Sequence, residues 1–225
     1  MSGPTKTLDN QSPELFGQTP WQTVGPFFHY GLPWKGGADL TGGSDLGARP
    51  ELTPEGHYVL KTARDPGPLA GKMIEIVGQV FDADDVPVPD AMIEIWQANA
   101  AGRYNSPDDP REELALDAGF IGFGRGATSE DGEYRFNTIL PGRTPGPGNS
   151  QQAPHIAVGV FGRGLLKRLV TRIYFEGEAA NDEDPILALA PAARRLTLIA
   201  SKTGEATYRF DIHLQGEHET VFFDI

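Results

Sequence analysis

Cysteine is absent from the 225 residues, which excludes disulfides, thiolate metal centres and a cysteine nucleophile. Any metal must therefore be held by histidine, tyrosine or carboxylate. Long apolar runs are missing too. No stretch approaches the roughly 18 residues of a membrane span, and the start, Met-Ser-Gly-Pro-Thr-Lys-Thr-Leu-Asp-Asn, lacks the apolar core of a signal peptide. A cytoplasmic protein is expected. Basic residues are in deficit, 19 Lys and Arg against 31 Asp and Glu, giving a formal charge of -12 and a pI near 4.8. Such a balance argues against nucleic acid or an anionic membrane as partner. Long helical periodicities are lacking, whereas 28 Gly and 19 Pro supply turns. No internal period marks a repeat array, so one large all-β domain is expected.

Strand-like alternation begins with Ile74, Ile76 and Val80 and resumes with Ile93 and Ile95 beyond Asp82 to Asp90. Val86-Pro-Val-Pro89 blocks helix between them, and a hairpin across this turn is expected. The second strand runs through Trp96 into Asn99-Ala-Ala-Gly-Arg-Tyr104, which sets Tyr104 just past a strand end. Asp108 to Glu113 reads as a solvated charged face. Asp131-Gly132 marks another hairpin turn, followed by Tyr134, Phe136 and Thr138 on one face. In His155-Ile-Ala-Val-Gly-Val160, Ile156, Val158 and Val160 share one side and His155 and Ala157 the other. Val170–Phe175, Tyr208–Leu214 and Thr220–Phe223 complete the strands, and Pro185 to Arg195 holds the plausible short helices.

Residues 1 to 70 have little periodicity but many aromatics, Trp21, Phe27, Phe28 and Trp34 among them. They form a long irregular arm that packs on its own domain or on a partner, with Gly36 to Gly43 as a flexible loop within it. Residues 71 to 225 then form a β-sandwich of about eight strands with one or two short helices.

Gly78-x-Val-x-Asp82, Pro87-Val-Pro-Asp-Ala91, Glu94-Ile-Trp-Gln-Ala-Asn99 and Gly102-Arg-Tyr104 together resemble the signature of the intradiol ring-cleavage dioxygenases. Thr19-Pro-x-Gln-Thr-x-Gly-Pro26, Pro154-His-Ile156, Arg172-x-Tyr-Phe175, Tyr208-Arg-Phe-Asp-Ile212 and the Gly216 to Asp224 ending extend the resemblance over nearly the whole chain. It implies a β-sandwich and a non-haem Fe(III) held by two tyrosines and two histidines, where hard phenolates suit the ferric state. Tyr104 matches the first tyrosine and His155 the first histidine. Thr144 stands where the second tyrosine belongs, Ala157 where the second histidine belongs, and Gln152 where the family has an arginine. Two protein donors do not make a tight ferric site.

The pattern is similar to the non-iron-binding α subunit of a heteromeric member. That resemblance implies an (αβ)n hetero-oligomer in which the β subunit carries Fe(III). The implied reaction joins 3,4-dihydroxybenzoate and O2 to give 3-carboxy-cis,cis-muconate, in the β-ketoadipate route of aromatic catabolism. No catalytic residue lies in this chain alone on that reading. Thr23, Gly25, Pro26 and Phe27 would wall the substrate pocket beside the partner's iron, and Arg163 would meet the substrate carboxylate. Three alternatives stay open: an iron-binding dioxygenase acting alone, a metal-free scaffold or binding module, and a subunit acting on another catechol.

Overall fold

The computed structural model describes residues 32–47 and 67–224. Met73–Phe81 (β1) buries Ile74, Ile76 and Val80 at every second position, as a strand with one face on a core must. Glu133–Ile139 (β4) pairs antiparallel along one edge of β1, from Met73 opposite Ile139 to Gln79 opposite Glu133. Thr207–Arg209 (β10) and Ile212–His213 (β11) run parallel to β1 along its other edge. In the facing layer Met92–Trp96 (β2) lies between Phe123–Ala127 (β3) and His155–Phe161 (β7), and Leu169–Phe175 (β8) flanks β7. Ile199–Lys202 (β9) bonds to both β8 and β10 and so joins the layers. Thr144–Pro145 (β5) and Gln151–Gln152 (β6) make a separate two-stranded ribbon.

Between the layers lies one core, in which Ile76, Ile93, Ile95, Phe136, Ile156 and Val160 are at most 1% exposed. Burying side chains of this size contributes about 2 kcal/mol each. The expected all-β sandwich is therefore present, with eleven strands among the described residues, three of only two residues. Three 3-10 helices, Ala179–Glu183 (η1), Leu187–Leu189 (η2) and Ala192–Leu198 (η3), cover a smaller cluster around Tyr174 on the outside of β8. Among the described residues no helix is long and apolar enough to cross a membrane.

Neither expected hairpin pairs its strands. The turn after β1 does fold back, with Val88 N–H donating to Val80 O (2.9 Å) and Asp82 N–H to Val86 O (3.0 Å). The chain then crosses to the other layer, where β2 takes β3 and β7 as neighbours. The Asp131-Gly132 turn likewise connects β3 in one layer to β4 in the other. Thr220–Phe223 is not a strand, although Thr220 N–H reaches His213 O (2.9 Å) and Phe223 N–H reaches Val170 O (2.8 Å). The Tyr208–Leu214 strand is interrupted at Phe210 and Asp211, between β10 and β11.

Gly36–Gly43 is no loose loop. Arg125 N–H donates to Gly37 O (2.8 Å) and Asn137 N–H to Ala38 O (2.9 Å), so this segment is stitched between the free edges of β3 and β4 and almost closes the sheet. Ala38, Asp39 and Leu40 are buried there. Trp34 stacks on Phe123 at 6.0 Å with the Arg125 guanidinium 5.6 Å from its ring, so the packing expected of the arm's aromatics holds for this one. The remainder of the 1–70 arm falls largely outside the described residues.

Candidate functional site

Two loops at one end of the β2 layer approach closely because glycines leave room for them. Gly102 sits at φ +80, and a Cβ on it would lie 2.0 Å from Arg143 O; a Cβ on Gly142 would lie 2.5 Å from Ala100 O. The first loop is shaped by Asn99, whose side-chain carbonyl accepts from Ala101 N–H (3.1 Å) and Arg103 N–H (3.0 Å). It delivers Tyr104 onto Trp96, ring centroids 5.7 Å apart and planes within 9°. The second loop delivers Thr144, buried with its hydroxyl beside Tyr104. A cavity of about 580 Å3 opens here, lined by Trp96, Tyr104, Thr144 and Gln152 among others.

The strands supply the rest. On the outer face of the β2 layer Arg172, Ala157 and Trp96 stand in one cross-strand row, and His155 faces Tyr174 in the row beside it. His155 is 4% exposed, and its Nδ1 lies 2.8 Å from Ala153 O. A carbonyl only accepts, so Nδ1 carries the proton and Nε2 keeps its lone pair. Burial, with the Arg172 cation adding to it, lowers the His155 pKa to about 4. Tyr104 is pushed above its ordinary value by burial, with Arg172 and the Thr144 hydroxyl pulling partly the other way. The Arg172 guanidinium donates to the Gln152 side-chain carbonyl (2.5 Å) and reaches toward the Tyr174 hydroxyl (3.4 Å), both neutral, with the Asp184 carboxylate beyond that hydroxyl.

Tyr104, Thr144, Gln152, His155 and Ala157 are thus brought to one end of the sandwich. Thr23, Gly25, Pro26 and Phe27 lie outside the described residues. Arg163 lies past the far end of β7, eight residues from His155, or about 25 Å at strand rise. Its Nε is 3.0 Å from Asp90 Oδ2, and its side chain is 62% exposed.

Three contributors went unread in the sequence. Asp109 and Arg111 belong to the run expected to be a solvated face, which Asp108, Glu112 and Glu113 are. Asp109 instead accepts from Tyr104 N–H (2.8 Å) and pairs with Arg111 (2.5 Å), which holds its carboxyl far below the usual carboxylate range. Arg111 also donates to Gly102 O (2.7 Å), so the pair is a clamp on the tyrosine loop. Asp184, 1% exposed, accepts from the N–H groups of Ala153 (2.7 Å), Ile186 (2.8 Å) and Leu187 (2.7 Å) and from the Tyr174 hydroxyl (3.1 Å). It fastens the helical cover to the turn that precedes His155.

The β-sandwich fold and the comparisons with known proteins place the chain in one class. A family model described as a dioxygenase matches residues 50–216, and the chain belongs to this family, the intradiol dioxygenases. It is 42% identical to the protocatechuate 3,4-dioxygenase alpha chain of Burkholderia cepacia over 217 residues, 92% of this chain and 98% of that one. The beta chain from the same organism is 38% identical over 192 residues, 81% of this chain and 79% of that one. Among solved structures, catechol 1,2-dioxygenase from Acinetobacter sp. ADP1 superposes with a TM-score of 0.53 at 26% identity, covering 72% of this chain and 59% of that one.

Enzymes of this family are non-haem Fe(III)-dependent. The residues present here do not fit that ion. Of the four positions that the resemblance marks, only Tyr104 and His155 offer donors, Thr144 supplies a neutral hydroxyl and Ala157 nothing, and the charge of Arg172 acts on both remaining donors. Among the described residues no cluster of three or more His, Asp or Glu side chains offers another metal site.

Proposed function

We propose that this chain is the non-iron-binding α subunit of a protocatechuate 3,4-dioxygenase, assembled with a β subunit in an (αβ)n complex in the cytoplasm. The observation that carries this reading is that, of the four positions the family resemblance marks for iron, Thr144 and Ala157 carry neither phenol nor imidazole. Fe(III) is then held by the β subunit, and the complex converts 3,4-dihydroxybenzoate and O2 to 3-carboxy-cis,cis-muconate, both oxygen atoms entering the product. Similarity to an alpha chain over 92% of this sequence supports the same assignment.

On this reading the chain contributes position and not redox chemistry. Thr23, Gly25, Pro26 and Phe27 in the N-terminal arm wall the partner's pocket, and Arg163 meets the substrate carboxylate, sharing or leaving its contact with Asp90. Holding a reactant in near-attack geometry can lower a barrier by several kcal/mol, on the order of 7 in favourable cases. Co-expression with the β chain tests the assignment: oxygen uptake with 3,4-dihydroxybenzoate is expected from the mixed oligomer and not from this chain alone. Turnover by this chain without a partner would contradict it.

A further inference from the structure

The ligand deficit by itself suggests that iron could be regained by restoring a tyrosine at 144 and a histidine at 157. The surroundings of Arg172 say otherwise. Arg172 stands directly across from Ala157 on the same face of the sheet, at the spacing of about 5 Å where opposed side chains touch. A histidine at 157 would be the cross-strand neighbour of that cation. That guanidinium is built in: Gln152 accepts from it at 2.5 Å, Gln152 is pinned by donating to Pro145 O at 2.5 Å, and Gln152 pairs with Thr144 in the ribbon. An arginine does not deprotonate to make way for another cation. Tyr104 and His155, the two donors that remain, both feel its charge.

We propose that Arg172 is a resident cation standing in the metal's place, so that this chain excludes ferric ion by charge as well as by missing donors. This rests on the four positions being the remnant of a ligand set. It does not depend on what the assembled complex catalyses.

The experiment is a set of full-length variants loaded with ferric ion, with iron counted per chain, the visible phenolate-to-iron absorption recorded, and folding checked by circular dichroism. Thr144→Tyr/Ala157→His is expected to stay iron-poor and colourless. Adding Arg172→Gln is expected to raise ferric affinity at least about tenfold, the scale on which groups around a metal site act, and to bring up the absorption band. Adding Arg172→Lys instead, which keeps the charge, is expected to leave the chain colourless. Should Thr144→Tyr disturb folding, Ala157→His with and without Arg172→Gln makes the same comparison with three donors. Tight iron binding by the double variant with Arg172 in place would overturn the proposal, as would a folded Arg172→Gln triple variant no better at binding iron than its Arg172 parent. Oxygen uptake with the β chain is measured separately, so failure here and failure of the subunit assignment remain distinguishable.

Discussion

Asp184 and Ala153 are joined by a 2.7 Å hydrogen bond from the Ala153 amide to a carboxylate oxygen, in a place where neither residue sees solvent. Through that one bond the helical cover fixes the start of β7, and with it the direction in which His155 points. Replacing Asp184 by Ala takes the acceptor from the buried N–H groups of Ala153 and Leu187, the part-buried one of Ile186 and the Tyr174 hydroxyl. A loss on the order of 3 kcal/mol is expected, read as a fall in the denaturant midpoint with unchanged slope.

His155 should make the fold acid-sensitive. Its pKa is lowered to about 4 in the folded chain from an ordinary 6.5, so between those values the unfolded chain binds more protons. Stability therefore rises with pH across that window; it is lost as pH falls from about 6.5 to about 4 and changes no further below. The full effect is about 3 kcal/mol. A series of unfolding midpoints against pH for the native chain and for His155→Gln checks this, the variant losing that part of the slope.

Gly102→Ala should part the two loops that frame the cavity. The added Cβ meets a carbonyl oxygen, not a side chain that could turn away, and the backbone is in the left-handed region. A destabilisation above about 3 kcal/mol is expected. The stacking of Trp96 on Tyr104 should weaken with it, visible as a change in tryptophan fluorescence. An unchanged spectrum and midpoint would show that the loops do not depend on this approach.

Arg163→Ala, assayed in the assembled complex, separates a carboxylate contact from a surface ion pair. A charge-assisted hydrogen bond of about 1.5–3 kcal/mol corresponds to a KM roughly tenfold or more higher for 3,4-dihydroxybenzoate. Plain catechol should be little affected. Equal effects on both substrates would leave Arg163 with its Asp90 contact alone.

Side-chain alternation disclosed most of the strands, because any strand with one face on the core shows it. It could not disclose partners: both layers bury their inner faces in the same core, so Ile76 and Ile93 look alike in sequence while belonging to opposite layers. The same parity placed His155 and Ala157 on one face. Asp109 and Arg111 were hidden in a charged run because composition does not tell which carboxylate lies under a loop. Arg172 was legible only as part of a motif. Its role depends on Gln152, twenty residues away, and on Ala157 across the sheet, which no local pattern reveals. The packing of Gly36–Gly43 was hidden likewise, since glycines that permit close approach look the same as glycines that permit flexibility.

Metal analysis of this chain purified with and without a β chain tests the central claim most directly. Iron is expected to be negligible in the chain alone and close to one per αβ pair in the complex. A full equivalent of tightly held Fe(III) in the isolated chain would contradict the account.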